Sequence, residues 1–316
     1  MKISNKTKGI ILLLITAFAW GSGFVARKLG SSVIPPITFN AMRQFGAALV
    51  LLPIMLPGLK KSGYLDRSRN SLRRYEFHKY KVLVGGLVCG ICMTLASTLQ
   101  SMGLATVSAG KSGFITSMYV VITPIFSLAL GKKLQPKIYG CVALAVVGFG
   151  FLSLTEGLGN VHIGDWLLLG SAACFAAQIM AINRYVDKWN DLLLSVIQMA
   201  LCGVLEIIVA IPLEHPTMAQ LTACIPALAY SILIPSALGY SCQVVGQKHA
   251  SSTSAALILS LESVFSVLVG AIVLHEHMLP RELLGCALIF IAVVASQIEW
   301  GQVKLEKVQN GDRFEK

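Results

Sequence analysis

Three charged residues stand inside apolar stretches long enough to cross a bilayer: Arg43, Glu206 and Glu262. A charge near the centre of a hydrocarbon layer costs at least about 2.5 kcal/mol on insertion scales, so each must face a partner, a cavity or a substrate. Glu262 falls nearest the middle of its stretch. A carboxylate there can pair with a cationic substrate group, can take up and release a coupling proton, or can be a buried acid held by Arg43. Arg43 lies about four residues outward of the middle of its own stretch, roughly 6 Å at 1.5 Å per residue. A guanidinium at that depth can grip a carboxylate or phosphate with two hydrogen bonds, or it can serve structure or gating. Glu206 lies at similar depth and can neutralise Arg43.

Polar and aromatic residues in the same stretches are candidates of a second kind. Gln100 and Gln243 are intramembrane amides suited to interhelical hydrogen bonds or to ligand contact. Trp20, Tyr119, Tyr240, Gln178 and Gln198 can line a cavity, with plain packing as the competing role for Trp20. Lys111 stands at the outer end of an apolar stretch, where it can snorkel and attract substrate.

The elements that must position these groups are membrane helices. The chain has 316 residues, 55% hydrophobic and 13% charged, with a mean hydropathy of +0.72. No soluble domain of that size needs so much apolar surface. At roughly 20 apolar residues per crossing, ten candidate spans are found: Gly9–Leu29, Ile37–Pro57, Val82–Ala105, Ser112–Leu130, Tyr139–Leu154, Trp166–Ile182, Leu192–Pro212, Ala223–Gln243, Ser252–Leu274 and Leu283–Glu299.

Several function classes are disfavoured. The net charge of +11 resides in short connections and forms no face interleaved with aromatics, so a nucleic-acid partner is not expected. The eight cysteines lie in or beside apolar stretches as small hydrophobes. Cys89-Gly-Ile-Cys92 matches CxxC without an accompanying His or second pair, so neither metal nor cofactor is expected. Gly110-Lys-Ser112 lacks the leading glycine of a phosphate-binding loop, because Ala105 stands there. The six histidines fall in connections, which leaves no convergent cluster for an enzyme.

The sequence is internally duplicated. Adding 155 places Gly9 on Gly164, Ala17 on Ala172, Ala26 on Ala181 and Pro57 on Pro212 without a gap. With an offset of 143, Gln100 falls on Gln243, Gly103 on Gly246 and Ser117 on Ser260. The divergent positions are Arg43 against Gln198, Leu51 against Glu206 and Tyr119 against Glu262. The expected organisation is an N-terminus (1–8), a first five-helix unit (9–154), a linker (155–163), a second unit (164–300) and a disordered tail (301–316). An odd number of spans per unit sends the second unit in from the opposite side, giving an all-α membrane protein built of two inverted five-helix repeats. Basic residues in the alternate connections exceed those on the other side by about five to one, so both termini are expected in the cytoplasm, with the protein in the cytoplasmic membrane. That count places Arg27, Lys28, Lys111 and Arg281 outside, and it treats the basic connection Gly58 to Lys81 as an anchor on lipid headgroups.

Ala19-Trp-Gly-Ser-Gly-Phe-Val-Ala26, Thr38-Phe-Asn-Ala-Met-Arg-Gln-Phe-Gly-Ala-Ala48, Ala109-Gly-Lys-Ser-Gly-Phe-Ile-Thr-Ser-Met-Tyr-Val-Val-Ile-Thr-Pro124 and Gly131-Lys-Lys133 resemble a first EamA unit of the drug/metabolite transporter superfamily. Leu261-Glu-Ser-Val-Phe265 and His275-Glu276 before Leu279-Pro280 are similar to its second unit. The resemblance implies ten helices, the first four of each unit around a central cavity and the fifth and tenth peripheral. It also implies secondary transport of a small metabolite, an amino acid or related compound or a drug, often outward, with coupling by protons as one option. Exchange of phosphorylated or nucleotide sugars is the alternative within transport. A receptor or enzyme on the same scaffold is the alternative outside it.

Overall fold

The computed structural model describes residues 5–61, 72–129, 131, 136–153, 162–185, 191–247, 249 and 258–297. Most of the linker, the tail, residues 62–71 of the basic connection and residues 251–257 of the ninth apolar stretch lie outside them. The described elements are helical throughout: α1 (Asn5–Ser31), α2 (Pro36–Lys61), α3 (Leu72–Thr106), α4 (Ala109–Ser117), α5 (Tyr119–Ala129), α6 (Pro136–Ser153) and α7 (Ile163–Tyr185). They continue with α8 (Asp191–Leu213), α9 (Met218–Ala223), α10 (Ile225–Ser231), a π-helical segment (Ile232–Leu238), α11 (Gly239–Gln247), α12 (Leu261–Val273) and α13 (Pro280–Gln297). In lipid every backbone N–H and C=O must be satisfied within the segment, and continuous helices achieve this.

Six helical stretches among the described residues are long and apolar enough to cross a membrane: Thr7–Ser31, Pro36–Pro57, Tyr80–Thr106, Ile163–Ile182, Leu192–Leu213 and Ile225–Gln243. Pro136–Leu152 and Leu261–Val273 are apolar but shorter. The protein is thus an all-α, multi-span membrane protein. Large apolar side chains such as Ile54, Ile208, Ile272 and Ile291 are exposed along the outer helix faces, as expected where the solvent is hydrocarbon.

The structure departs from the sequence reading at several boundaries. The flanks of the basic connection are helical, since α2 reaches Lys61 and α3 starts at Leu72 and runs for 35 residues. Residues 72 to 84 contain neither Pro nor Gly, and Arg, Lys and Glu are good helix formers. The fourth apolar stretch is broken at Met118, whose N–H reaches the Ile115 carbonyl three residues back at 3.2 Å. The ninth is broken at Ser260, with Ser263 N–H on the Ser260 carbonyl, also at 3.2 Å. The 143-residue offset places Ser117 on Ser260, so the two breaks fall within one residue of matching positions.

Packing sets the layout. α3 lies against α7 and α8, α2 against α8, α1 against α11 and α12, and α6 against α13. The contact of α1 with α12 depends on Gly21, where a Cβ would stand 2.7 Å from the Glu262 carbonyl and 3.0 Å from the Ser266 nitrogen. The backbone of α2 crosses α8 at Gly203 in the same way, with a Cβ there 2.7 Å from the Phe45 nitrogen.

Candidate substrate cavity

The two broken helices meet at a cavity between α1, α2, α3, α4, α5, α7, the π segment, α11 and α12. Its empty volume, mouth included, is about 620 Å³. α6 and α13 contribute no lining residue among those described. From α1 the wall receives Trp20, Phe24 and Arg27, at i, i+4 and i+7, which is one face of a helix. α7 presents Phe175, Gln178 and Ile179 at i, i+3 and i+4. Tyr119 and Glu262 stand just after the breaks at Met118 and Ser260, and both are buried.

Two arginines reach the cavity, and their surroundings differ. Arg43 donates through Nε to Asn40 Oδ1 at 3.1 Å and through Nη2 to the same oxygen, while its Nη1 donates to Ser236 Oγ at 2.7 Å. Asn40 Nδ2 in turn donates to Glu206 Oε1 at 2.5 Å. The amide's orientation follows from its neighbours, because the guanidinium demands its oxygen and the carboxylate its NH2. Glu206 Oε1 also accepts from Ser97 and Thr98, each at 2.9 Å. Arg43 and Glu206 therefore neutralise one another through Asn40 rather than by direct contact.

Arg27 is the cation the sequence reading assigned to an outer connection, and here it is corrected. It is buried in the cavity wall. Its Nε donates to the Gly23 carbonyl at 3.2 Å, its Nη1 donates to Gln100 Oε1, and its guanidinium carbon lies 4.6 Å from the centre of the Phe24 ring. Gln100 Nε2 donates onward to Thr116 Oγ1 at 3.2 Å. Among the described residues no carboxylate lies within hydrogen-bonding distance of Arg27. Its position within Gly9–Leu29, seven residues from Trp20, was the signal available in the sequence.

In the same cavity lining, Glu262 Oε1, Tyr119 Oη and Gln243 Oε1 are buried without a hydrogen-bond partner among the described residues. Glu262 and Tyr119 are near neighbours, and Arg27 is the cation closest in influence on Glu262. Trp20 closes another side. Its Nε1 donates to the Pro235 carbonyl at 3.1 Å, and its ring lies 5.1 Å from that of Tyr240. Pro235 has no N–H to offer its own helix, and the wide π turns around it absorb the break.

The remaining sequence candidates lie behind this wall or away from it. Gln198 is buried behind Gln178, whose Nε2 donates to its Oε1 at 3.0 Å. Lys111 is not a snorkelling residue. It is buried, and its Nζ pairs with Asp165 Oδ2 at 2.9 Å, because α4 starts against the first turn of α7. Neighbouring contacts tie this end of the molecule together. Glu276 accepts from Ala109 N at 2.8 Å and Gly110 N at 3.2 Å, filling the positive N-terminus of α4. Glu214 does the same for Ile37 and Thr38 at the start of α2. Lys28 donates to the Leu104 carbonyl in the last turn of α3 and to the Val107 carbonyl just past its end. Asn40, Asp165 and Glu214 were missed in the sequence because each is recognisable only beside its distant partner.

The profile of the EamA-like transporter family matches the chain twice, over residues 7–154 and 162–296. The chain is 33% identical over 285 residues to an uncharacterized transporter of Archaeoglobus fulgidus, covering 89% of this chain and 83% of the relative. It is 23% identical over 313 residues to the uncharacterized transporter YoaV of Bacillus subtilis, covering 94% of this chain and 99% of that one. A solved structure described as "Crystal structure of protein" shares the fold, with a TM-score of 0.61 over 91% of this chain and 95% of the other at 16% identity. With a cavity between its helices and family matches over nearly its whole length, the chain belongs to the EamA-like transporter family of the drug/metabolite transporter superfamily.

Proposed function

We propose that the protein is a secondary transporter for a zwitterionic small metabolite, an amino acid or close relative, which it exports across the cytoplasmic membrane by alternating access. The observation that carries this reading is the pairing, within one cavity, of a guanidinium without a bonded carboxylate and a carboxylate with an unpartnered oxygen among the described residues. A substrate bearing both an anionic and a cationic group satisfies both at once, and a buried charge left unmatched is costly. Aromatic rings at Trp20, Phe24, Phe175 and Tyr240 suit an apolar side chain. A phosphorylated sugar fits less well, since Arg43 is already engaged through Asn40 and Glu262 would repel a phosphate.

The reading includes ten spans in two inverted units, the fourth and ninth being the broken stretches. Helices broken within one residue of matching positions beside a central cavity suit a transporter that rocks one unit against the other. Both termini are placed in the cytoplasm. Of the four cations counted outside, Arg27 and Lys111 are buried and Lys28 caps α3, so the outer side carries even less free positive charge than the sequence suggested. In this reading the outer end is the one where Glu214, Glu276 and the Lys111–Asp165 pair tie helix ends together.

Counter-flow into proteoliposomes tests this. A panel of labelled L-amino acids is offered to vesicles preloaded with the same compound unlabelled, and at least one is expected to accumulate transiently. Exchange confined to phosphorylated sugars, or absent across the panel, would overturn the reading.

A further inference from the structure

We infer that Arg27, not Arg43, is the residue that recognises the anionic group of the substrate, and that Gln100 positions it; this rests on the zwitterion reading above. The argument is one of charge accounting. Both guanidiniums are buried and both line the cavity, and both meet the same demand for a counter-charge. Arg43 has this demand met by protein. Asn40 links it to Glu206, and Ser236 takes another of its N–H groups. Its hydrogen bonds go to Asn40 on its own helix and to Ser236 in the π segment. Among the described residues Arg27 bonds only to neutral partners, a backbone carbonyl, an amide oxygen and an aromatic face, and Glu262 acts on it through space without a hydrogen bond. Among the described residues it is the buried cation lining the cavity with capacity left for a carboxylate.

Gln100 fixes where that capacity points. Its carbonyl oxygen holds one arm of the guanidinium while its NH2 is anchored on Thr116 in α4. The Phe24 ring supports the guanidinium from one face. The path Arg27, Gln100, Thr116 therefore joins α1, α3 and α4 at the level where the fourth helix breaks. Glu262 Oε1 and Tyr119 Oη, neighbours in the cavity lining, have no hydrogen-bond partner among the described residues and can accept from an ammonium group. A bound amino acid is thus oriented, carboxylate toward α1 and ammonium toward α12.

The wild-type protein provides the first test and needs no variant. In counter-flow with the best amino acid of the panel, the free acid should outcompete its own methyl ester by about ten- to a hundredfold, the span of a charge-assisted hydrogen bond. R27Q should abolish that discrimination, leaving acid and ester within about threefold, and R27K should restore part of it. Q100A should raise KM for the acid more than for the ester while leaving the turnover rate within about threefold. R43K should keep the discrimination. Equal competition by acid and ester in wild-type vesicles would overturn the assignment, whether or not any variant folds. Discrimination that survives R27Q would also overturn it. Absence of exchange for every amino acid would instead refute the zwitterion reading, and this assignment with it.

Discussion

Replacing Asn40 with leucine tests whether Arg43 and Glu206 act as a pair held apart by one amide. Asn40 is fully buried, and leucine has a similar volume, so loss of hydrogen bonding dominates over a cavity. The change removes a 2.5 Å bond to Glu206 and two bonds to Arg43. Glu206 keeps Ser97 and Thr98, and Arg43 keeps Ser236, so neither ion is stripped bare. Hydrogen bonds to charged groups contribute about 1.5–3 kcal/mol each, and bonds shared by one amide are not additive. An overall cost of about 3–4 kcal/mol follows. The assay is reversible unfolding in mixed micelles titrated with SDS, followed by tryptophan fluorescence, for wild type, N40L, R43Q, E206Q and the R43Q/E206Q double variant. The double variant should be less destabilised than the sum of its singles by more than 1 kcal/mol, the mark of coupled sites. Protein that remains folded should retain its KM. N40L within about 0.5 kcal/mol of wild type, or strict additivity at Arg43 and Glu206, would refute the relay.

Three further outcomes follow from the geometry. K111M and D165N should each lower stability by about 3–5 kcal/mol, since each leaves its partner as a buried unpaired group, whereas K111M/D165L should recover most of it in the same titration. G270A should push the Glu276 carboxylate off the start of α4, because a Cβ at Gly270 would lie 2.8 Å from Glu276 Oε2. It should cost about 1 kcal/mol, as E276Q should, and raise the labelling rate of a cysteine placed at Ser108. E262Q should flatten the pH dependence of exchange in proteoliposomes and raise KM for the amino acid; an unchanged pH profile and KM would remove Glu262 from both ammonium binding and coupling.

Much of the molecule is legible in one dimension. Helical spans follow from apolar length alone, because lipid leaves the backbone no other partner. The duplication is readable as an offset of 155 that drops to 143 after the basic connection, and the second places Tyr119 on Glu262 before any coordinates exist. The intramembrane position of Arg43, Glu206 and Glu262 is likewise a statement about sequence and the cost of burying charge. The breaks at Met118 and Ser260 were not readable, since neither Pro nor Gly marks them. They arise where close packing of α1, α4 and α12 decides the local path of the chain.

The sequence by itself determined a duplicated membrane transporter and a short roster of charges that must be matched. It could not say who matches whom. Lys111 is drawn inward by an aspartate 54 residues away, and Arg43 is satisfied by a glutamate reached through an amide on its own helix. Arg27, close to the end of its span, is turned into the cavity by helical phase and held there by Gln100. Such partnerships depend on which helix faces meet, and those are set by glycines such as Gly21 and Gly203 that let backbones approach. Apolar length fixes that a helix crosses the membrane; only tertiary packing fixes which of its charges is left free to bind.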